Sequence, residues 1–135
     1  MLAKPGPDGS IVLRNGSNGT IHLIADVAGY ELTATATTPG ALLALTPSRI
    51  LDTRDGTGAT AGIVAASGTV DLAVTGHGGV PATGVSAVML NMTVTQPSSE
   101  GHISAAAAGG TANDASNLSF AAGQTVANLV MVKVG

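Results

Sequence analysis

The feature that most constrains the fold of this chain is a series of short runs in which apolar and polar residues alternate, separated by glycine-containing turns. In the run 85–95, alternation places Leu90, Met92 and Val94 on one face of a strand and polar side chains on the other. Nine runs have this character: 10–14, 20–27, 41–45, 49–53, 69–75, 85–95, 102–106, 117–120 and 125–134. We therefore predict an all-β fold, a jelly-roll-like antiparallel β-sandwich of about nine strands.

The turn sequences predict how the chain is organised. Asn-Gly pairs favour the positive φ of tight hairpin turns, so Asn15-Gly16 predicts that runs 10–14 and 20–27 form an N-terminal hairpin. Residues 31–40 are rich in threonine and end in Pro-Gly, as a linker does. We therefore divide the chain into a hairpin (1–30), a linker (31–40) and a main body (41–135), which together form one globular domain.

Composition excludes several classes of function. The chain is 44% hydrophobic, yet only Tyr30 and Phe120 are aromatic, which predicts an aliphatic core and few rings for stacking sugars or bases. Five basic residues against eight acidic ones provide no basic stripe for a nucleic acid. The chain has no cysteine, which excludes disulfides and thiolate metal sites. No run reaches about 18 apolar residues, so we expect no membrane insertion.

Several motifs resemble a tandem-repeat β domain of secreted and cell-surface actinobacterial proteins, and together they cover nearly the whole chain. The motifs are LDTR (51–54), GVP (79–81), LNMTVTQP (90–97), SNL (116–118), GQTVANLV (123–130) and DVAGY (26–30). In that family the DVxGY element closes a repeat, whereas here it comes first. The resemblance implies that residues 1–30 are the closing hairpin of a preceding repeat, and that they complete the sheet in permuted order.

The same resemblance implies a setting and partners. It places the protein outside the cell, secreted or associated with the cell wall. It also implies that the N-terminal hairpin occupies the place of the missing closing hairpin, either within this molecule or in a neighbouring one. Neighbouring repeats or a second copy then become partners by strand complementation. Polysaccharide or cell-wall glycan is the other expected partner.

Two groups of residues are candidate binding sites. Asp52 and Asp55, with nearby carbonyl groups, could hold Ca²⁺; alternatively, Arg49 or Arg54 bridges Asp52 and ties a strand end to a loop. No other cofactor is expected. The second group could line a groove for sugar hydroxyls, or its amides could satisfy backbone groups; it comprises Asn91, Asn117 and Gln124, with Asn128 and Tyr30.

Catalysis is not indicated. The candidate acids Asp71, Glu100 and Asp114 show no paired spacing, and no Gly-x-Ser-x-Gly motif accompanies the isolated histidines at positions 22, 77 and 102. Asp26, in an apolar run, either needs a buried partner or faces an edge. We therefore predict a non-catalytic extracellular module of a tandem array, for adhesion or weak attachment to polysaccharide. The alternative is a structural spacer or a self-assembling surface protein.

Overall fold

The computed structural model describes residues 8–32, 42–110 and 116–134, and in these residues the chain is all β, without a helix. They form two four-stranded sheets of orders β4-β1-β6-β7 and β3-β2-β5-β8, in which every neighbouring pair is antiparallel. The strands are β1 (Ser10–Asn15), β2 (His22–Leu32), β3 (Leu42–Asp52), β4 (Thr69–Ala73), β5 (Val85–Thr95), β6 (Gly101–Ala107), β7 (Leu118–Phe120) and β8 (Val126–Lys133). The all-β, sandwich-like prediction is confirmed, with eight strands instead of nine.

The difference of one strand arises around Pro47. The predicted runs 41–45 and 49–53 are the two halves of the single strand β3. Its register against β2 shifts between Ser48, opposite Val27, and Ala44, opposite Gly29, so residues 45–47 form a bulge. Proline cannot donate to a ladder and is tolerated at a bulge on an edge strand, and β3 is an edge strand.

The core lies between the two sheets and is aliphatic. On β5, Leu90, Met92 and Val94 are fully buried, whereas Asn91 and Thr93 are partly exposed, as the alternation predicts. The opposing sheet and the remaining strands contribute further fully buried side chains, among them Ile11, Leu13, Leu23, Val27, Leu72 and Ile103. In the part of the chain that the structure describes, no helix is long and apolar enough to cross a bilayer.

The predicted N-terminal hairpin is wrong, because β1 and β2 belong to different sheets. Asn15 is completely buried at the end of β1, and neither Gly16 nor Gly19 has the positive φ of a primed turn. The Asn15 amide donates to the carbonyl groups of Gly19, Val64 and Ala65. The side chain therefore anchors a connection that crosses from one sheet to the other.

Both N-terminal strands occupy central positions. β1 lies between β4 and β6, and β2 lies between β3 and β5. β2 extends to Leu32, so the first two residues of the predicted linker are strand residues. The rest of that linker, 33–40, lies outside the described residues.

Candidate functional site

The densest charged cluster surrounds Asp52, at the end of β3. Its side chain is only 2% exposed, and Arg54 holds both carboxylate oxygens: Nε donates to Oδ1 at 2.9 Å and Nη2 donates to Oδ2 at 2.7 Å. The backbone N–H of Arg54 also donates to Oδ1, at 3.0 Å. Because a guanidinium fork matches a carboxylate, this contact fixes the chain as it leaves the strand.

Arg49 extends this cluster to the neighbouring strand. Its Nε donates to Oδ1 of Asp26 on β2 at 2.9 Å, and its Nη1 lies 3.5 Å from Oδ2 of Asp52. Asp26 is thus a partly exposed acid with a partner on the outer face of the sheet, not an isolated buried charge. The arginine cross-links β2 to the end of β3.

The structure gives the two proposed Ca²⁺ ligands, Asp52 and Asp55, separate hydrogen-bond partners. Oδ1 of Asp55 accepts hydrogen bonds from N–H and Oγ1 of Thr57, at 2.9 and 2.8 Å, which is a local turn. A cation at Asp52 would have to displace Arg54. Within residues 8–32, 42–110 and 116–134, no group of three acidic or histidine side chains is arranged to hold a metal ion. The observed contacts are those of the structural alternative.

The Asp52 cluster predicts a dependence of stability on pH. Hydrogen bonds from Arg54 lower the pKa of Asp52 from 3.8 to about 2, although burial acts in the opposite direction. Because folding lowers this pKa, the ionised Asp52 carboxylate stabilises the folded state fully above about pH 4. This stabilisation is lost as the pH falls through 2. Arg49 and Arg54 are about half exposed, so solvent screens their charges. We therefore expect ionised Asp52 to contribute about 1–2 kcal/mol to the free energy of unfolding.

Urea unfolding at about pH 5 and about pH 2 measures this contribution. Asp52→Asn should show a smaller loss of unfolding free energy between the two pH values than the unaltered chain. Asp71→Asn is the control, since the Asp71 side chain is exposed and has no ion-pair or hydrogen-bond partner among the described residues. An equal loss in Asp52→Asn and in the unaltered chain would show that the carboxylate does not couple folding to pH.

Most of the candidate amides bond to the backbone. Oδ1 of Asn117 accepts from Ala105 N–H, Nδ2 of Asn128 donates to the Asn117 carbonyl, and Oε1 of Gln124 accepts from Ala121 N–H. These bonds fasten β6 to the segment before β7, fasten that segment to β8, and close the turn after β7. They match the role in backbone satisfaction that the sequence left open.

Asn91 differs from these amides. It lies on the central strand β5, opposite Asp26 of β2 and Leu129 of β8, and faces outward. Its amide has no hydrogen-bond partner among the described residues. We use the name outer face for the exposed side of this sheet around Asn91, formed by Asp26, Arg49, Met89, Asn91, Thr93 and Leu129.

The structure does not bring together four of the candidate ligand-binding residues, namely Tyr30, Asn91, Asn117 and Gln124. Tyr30 packs against the hydrophobic core, whereas Asn91 faces the opposite side of the same sheet. Asn117 precedes β7 in the other sheet, and Gln124 lies in the turn before β8. Of the four, Asn91 is therefore the one that combines a central position with a free amide.

An open cavity that the sequence did not predict lies beside β4. Its volume is about 590 Å³, and it is bordered by residues 59–65 and by the start of the strand. Asp71 is the charged residue of its lining, which otherwise consists of alanine, glycine, threonine and larger aliphatic residues. These side chains offer few fixed polar groups for orienting a ligand.

A histidine and a hydroxyl group meet at His22, but the geometry does not favour catalysis. Nδ1 of His22 lies 3.1 Å from Oγ1 of Thr53, which also accepts a hydrogen bond from the Leu23 N–H at 3.0 Å. Thr53 is 1% exposed, so its oxygen is closed to a substrate. Nε2 of His102 is buried and has no hydrogen-bond partner among the residues that the structure describes, and its ring packs against Gly16.

Comparisons with protein-family models, with curated proteins and with solved structures find no match to this chain. The resemblance to secreted repeats thus remains a prediction from motifs such as LDTR and GQTVANLV.

The chemistry available on the outer face is one free amide beside an ion pair, flanked by apolar side chains. Such a surface suits neutral, hydroxyl-rich ligands.

Proposed function

We propose that this chain is a non-catalytic extracellular module of a tandem array, which attaches weakly to polysaccharide or cell-wall glycan through its outer face. The observation that supports this is the free amide of Asn91 at the centre of a four-stranded sheet. An amide both donates and accepts hydrogen bonds, as pairs of sugar hydroxyls require. The ion pair of Asp26 and Arg49 lies directly beside it and adds a second donor and acceptor group.

The same surface explains why attachment by one module is weak. The outer face carries no aromatic ring on which a sugar could stack, and each net hydrogen bond contributes only about 0.5–1.5 kcal/mol. Several modules on one chain would strengthen the retention that a single module already gives, because linked sites raise the effective concentration. A tandem array supplies such linkage, so the proposed binding and the proposed array support each other.

Asn91→Ala should weaken retention on an insoluble polysaccharide. The substitution removes both hydrogen-bonding groups of the amide, so we expect retention to fall by about 5- to 30-fold. The measurement is a pull-down on a panel of cellulose, chitin and purified cell-wall preparations. Thr69→Ala is the matched control, because Thr69 is an exposed strand residue in the other sheet.

Two outcomes would contradict the proposal. One is the absence of retention of the unaltered chain on every polysaccharide of the panel. The other is equal retention of Asn91→Ala and the unaltered chain. Circular dichroism of the variant confirms that a loss of retention does not reflect unfolding.

A structural spacer within a surface array is the second candidate. It is favoured by the amides of Asn117, Gln124 and Asn128, which serve backbone hydrogen bonds instead of a ligand. These bonds stiffen the side of the sandwich where β7 and β8 meet. A spacer would be retained by no polysaccharide while unfolding cooperatively, so the same panel separates the two functions.

A further inference from the structure

Residues 8–32 are held almost entirely by the rest of the chain. β1 pairs with β4 and β6, and β2 pairs with β3 and β5, so all four neighbours come from residues 42–134. β1 and β2 share no ladder with each other. The segment therefore contributes one central strand to each sheet, and the body of the molecule provides a slot for each strand.

The contacts of this segment are extensive. Its fully buried side chains include Ile11, Leu13, Ile21, Leu23 and Val27, all in the core between the sheets. The Asn15 amide adds hydrogen bonds to the carbonyl groups of residues 64 and 65. None of these contacts depends on the route by which the chain continues from β2 to β3.

We propose that residues 8–32 exchange between two copies of this chain, so that each copy places its β1 and β2 in the slots of the other. Residues 33–41 connect the segment to β3, and nine extended residues span roughly 30 Å, enough to reach an adjacent molecule. Every native pair and every core contact is kept in the exchanged form. Only the path of the connection changes, which makes such dimers energetically close to the monomer.

One competing way to join two copies is pairing at the open edge of β4, which is one of the four edge strands of the described sheets. The Asn15 N–H donates to the Gly68 carbonyl, and this register directs the backbone groups of Val70 and Leu72 towards β1. The N–H and C=O groups of Thr69 and Asp71 then point to the open edge, beside the cavity. Asp71→Pro removes an edge donor without removing a bond to β1, so it blocks pairing at the edge of β4 and leaves exchange intact.

Engineered cysteines report exchange directly, because the chain has none of its own. Ser10 on β1 lies directly opposite Ala73 on β4, in a pair whose spacing suits a cross-strand disulfide. Ser10→Cys is introduced into one copy and Ala73→Cys into a second, mass-tagged copy. The two full-length proteins are unfolded in urea, mixed, refolded together at high concentration and oxidised.

Exchange predicts a covalent dimer of the two variants, in at least about tenfold excess over the dimer that Ser10→Cys forms with Ala122→Cys. Ala122 is an exposed residue of the turn after β7, so this second pair measures random collision. The double variant, with both cysteines in one chain, shows at low concentration that the geometry closes a disulfide. No excess over random collision would overturn the proposal.

Light scattering of the cysteine-free chain gives an independent result after refolding at high concentration. The proposal predicts a dimer that persists in Asp71→Pro. A dimer that Asp71→Pro abolishes would assign association to the edge of β4 and overturn exchange. Monomer alone at high concentration would overturn it as well.

Discussion

Asn15→Ala is expected to lower the free energy of unfolding by about 3–5 kcal/mol, as measured by urea denaturation. The side chain is completely buried and donates to the carbonyl groups of Gly19, Val64 and Ala65. Its Oδ1 accepts hydrogen bonds from the N–H and Oγ of Ser17, at 3.0 and 2.7 Å. Truncation removes all five of these hydrogen bonds at once and leaves the buried Ser17 N–H without its acceptor, and this accounts for the large effect.

Asn18→Ala is the matched control for this prediction. Asn18 lies three positions further along the same connection, is exposed, and has the same side chain. Its substitution should change the stability by no more than about 0.5 kcal/mol. Similar losses in the two variants would mean that the connection between the sheets is not organised by the buried amide.

Gly58→Ala is expected to destabilise the protein by roughly 2–5 kcal/mol, again measured by urea denaturation. Gly58 has a φ of +71°, which an L-residue adopts only at a cost. A Cβ atom at this position would also collide with the carbonyl group of Ile50, which belongs to the backbone of β3 and cannot rotate away. The strain and the collision act together.

Gly56→Ala separates these two causes. Gly56 also has a positive φ, of +90°, but the nearest atom to an added Cβ is the Ala61 methyl group at 3.4 Å. This variant carries the backbone strain without the collision, and we expect a loss of about 1–2 kcal/mol. Equal losses of unfolding free energy in Gly56→Ala and Gly58→Ala would show that the Ile50 carbonyl moves aside and that the collision costs little.

The sequence predicted the strands and their faces well, because both follow from local alternation. Residues 85–95 were predicted as a strand and are a strand, with Leu90 on the core side and Asn91 outside. The sequence predicts two runs, 41–45 and 49–53, where the structure has the single strand β3. A proline at a bulge of an edge strand leaves the strand intact, and the position of a strand within its sheet is not a local property.

The sequence did not predict which strands pair, or which amides remain free. Asn15-Gly16 has the composition of a hairpin turn, but burial of Asn15 among distant carbonyl groups outweighs the local turn preference. Asn91 lies in β5 and Asn117 directly precedes β7, although both runs alternate in the same way in the sequence. Their difference arises because Ala105 presents its N–H to Asn117, whereas no described residue donates to or accepts from the Asn91 side chain. Such neighbours come from remote parts of the chain.

The central position of β1 has a kinetic consequence. Ile11 pairs with Ala107 and Leu13 with Ala105, so contact order is high and very long loops must close before these ladders form. Topologies of this kind fold in milliseconds to seconds, far more slowly than chains of local hairpins. The sheet of order β4-β1-β6-β7 is therefore expected to stay open at its middle until these long-range ladders form.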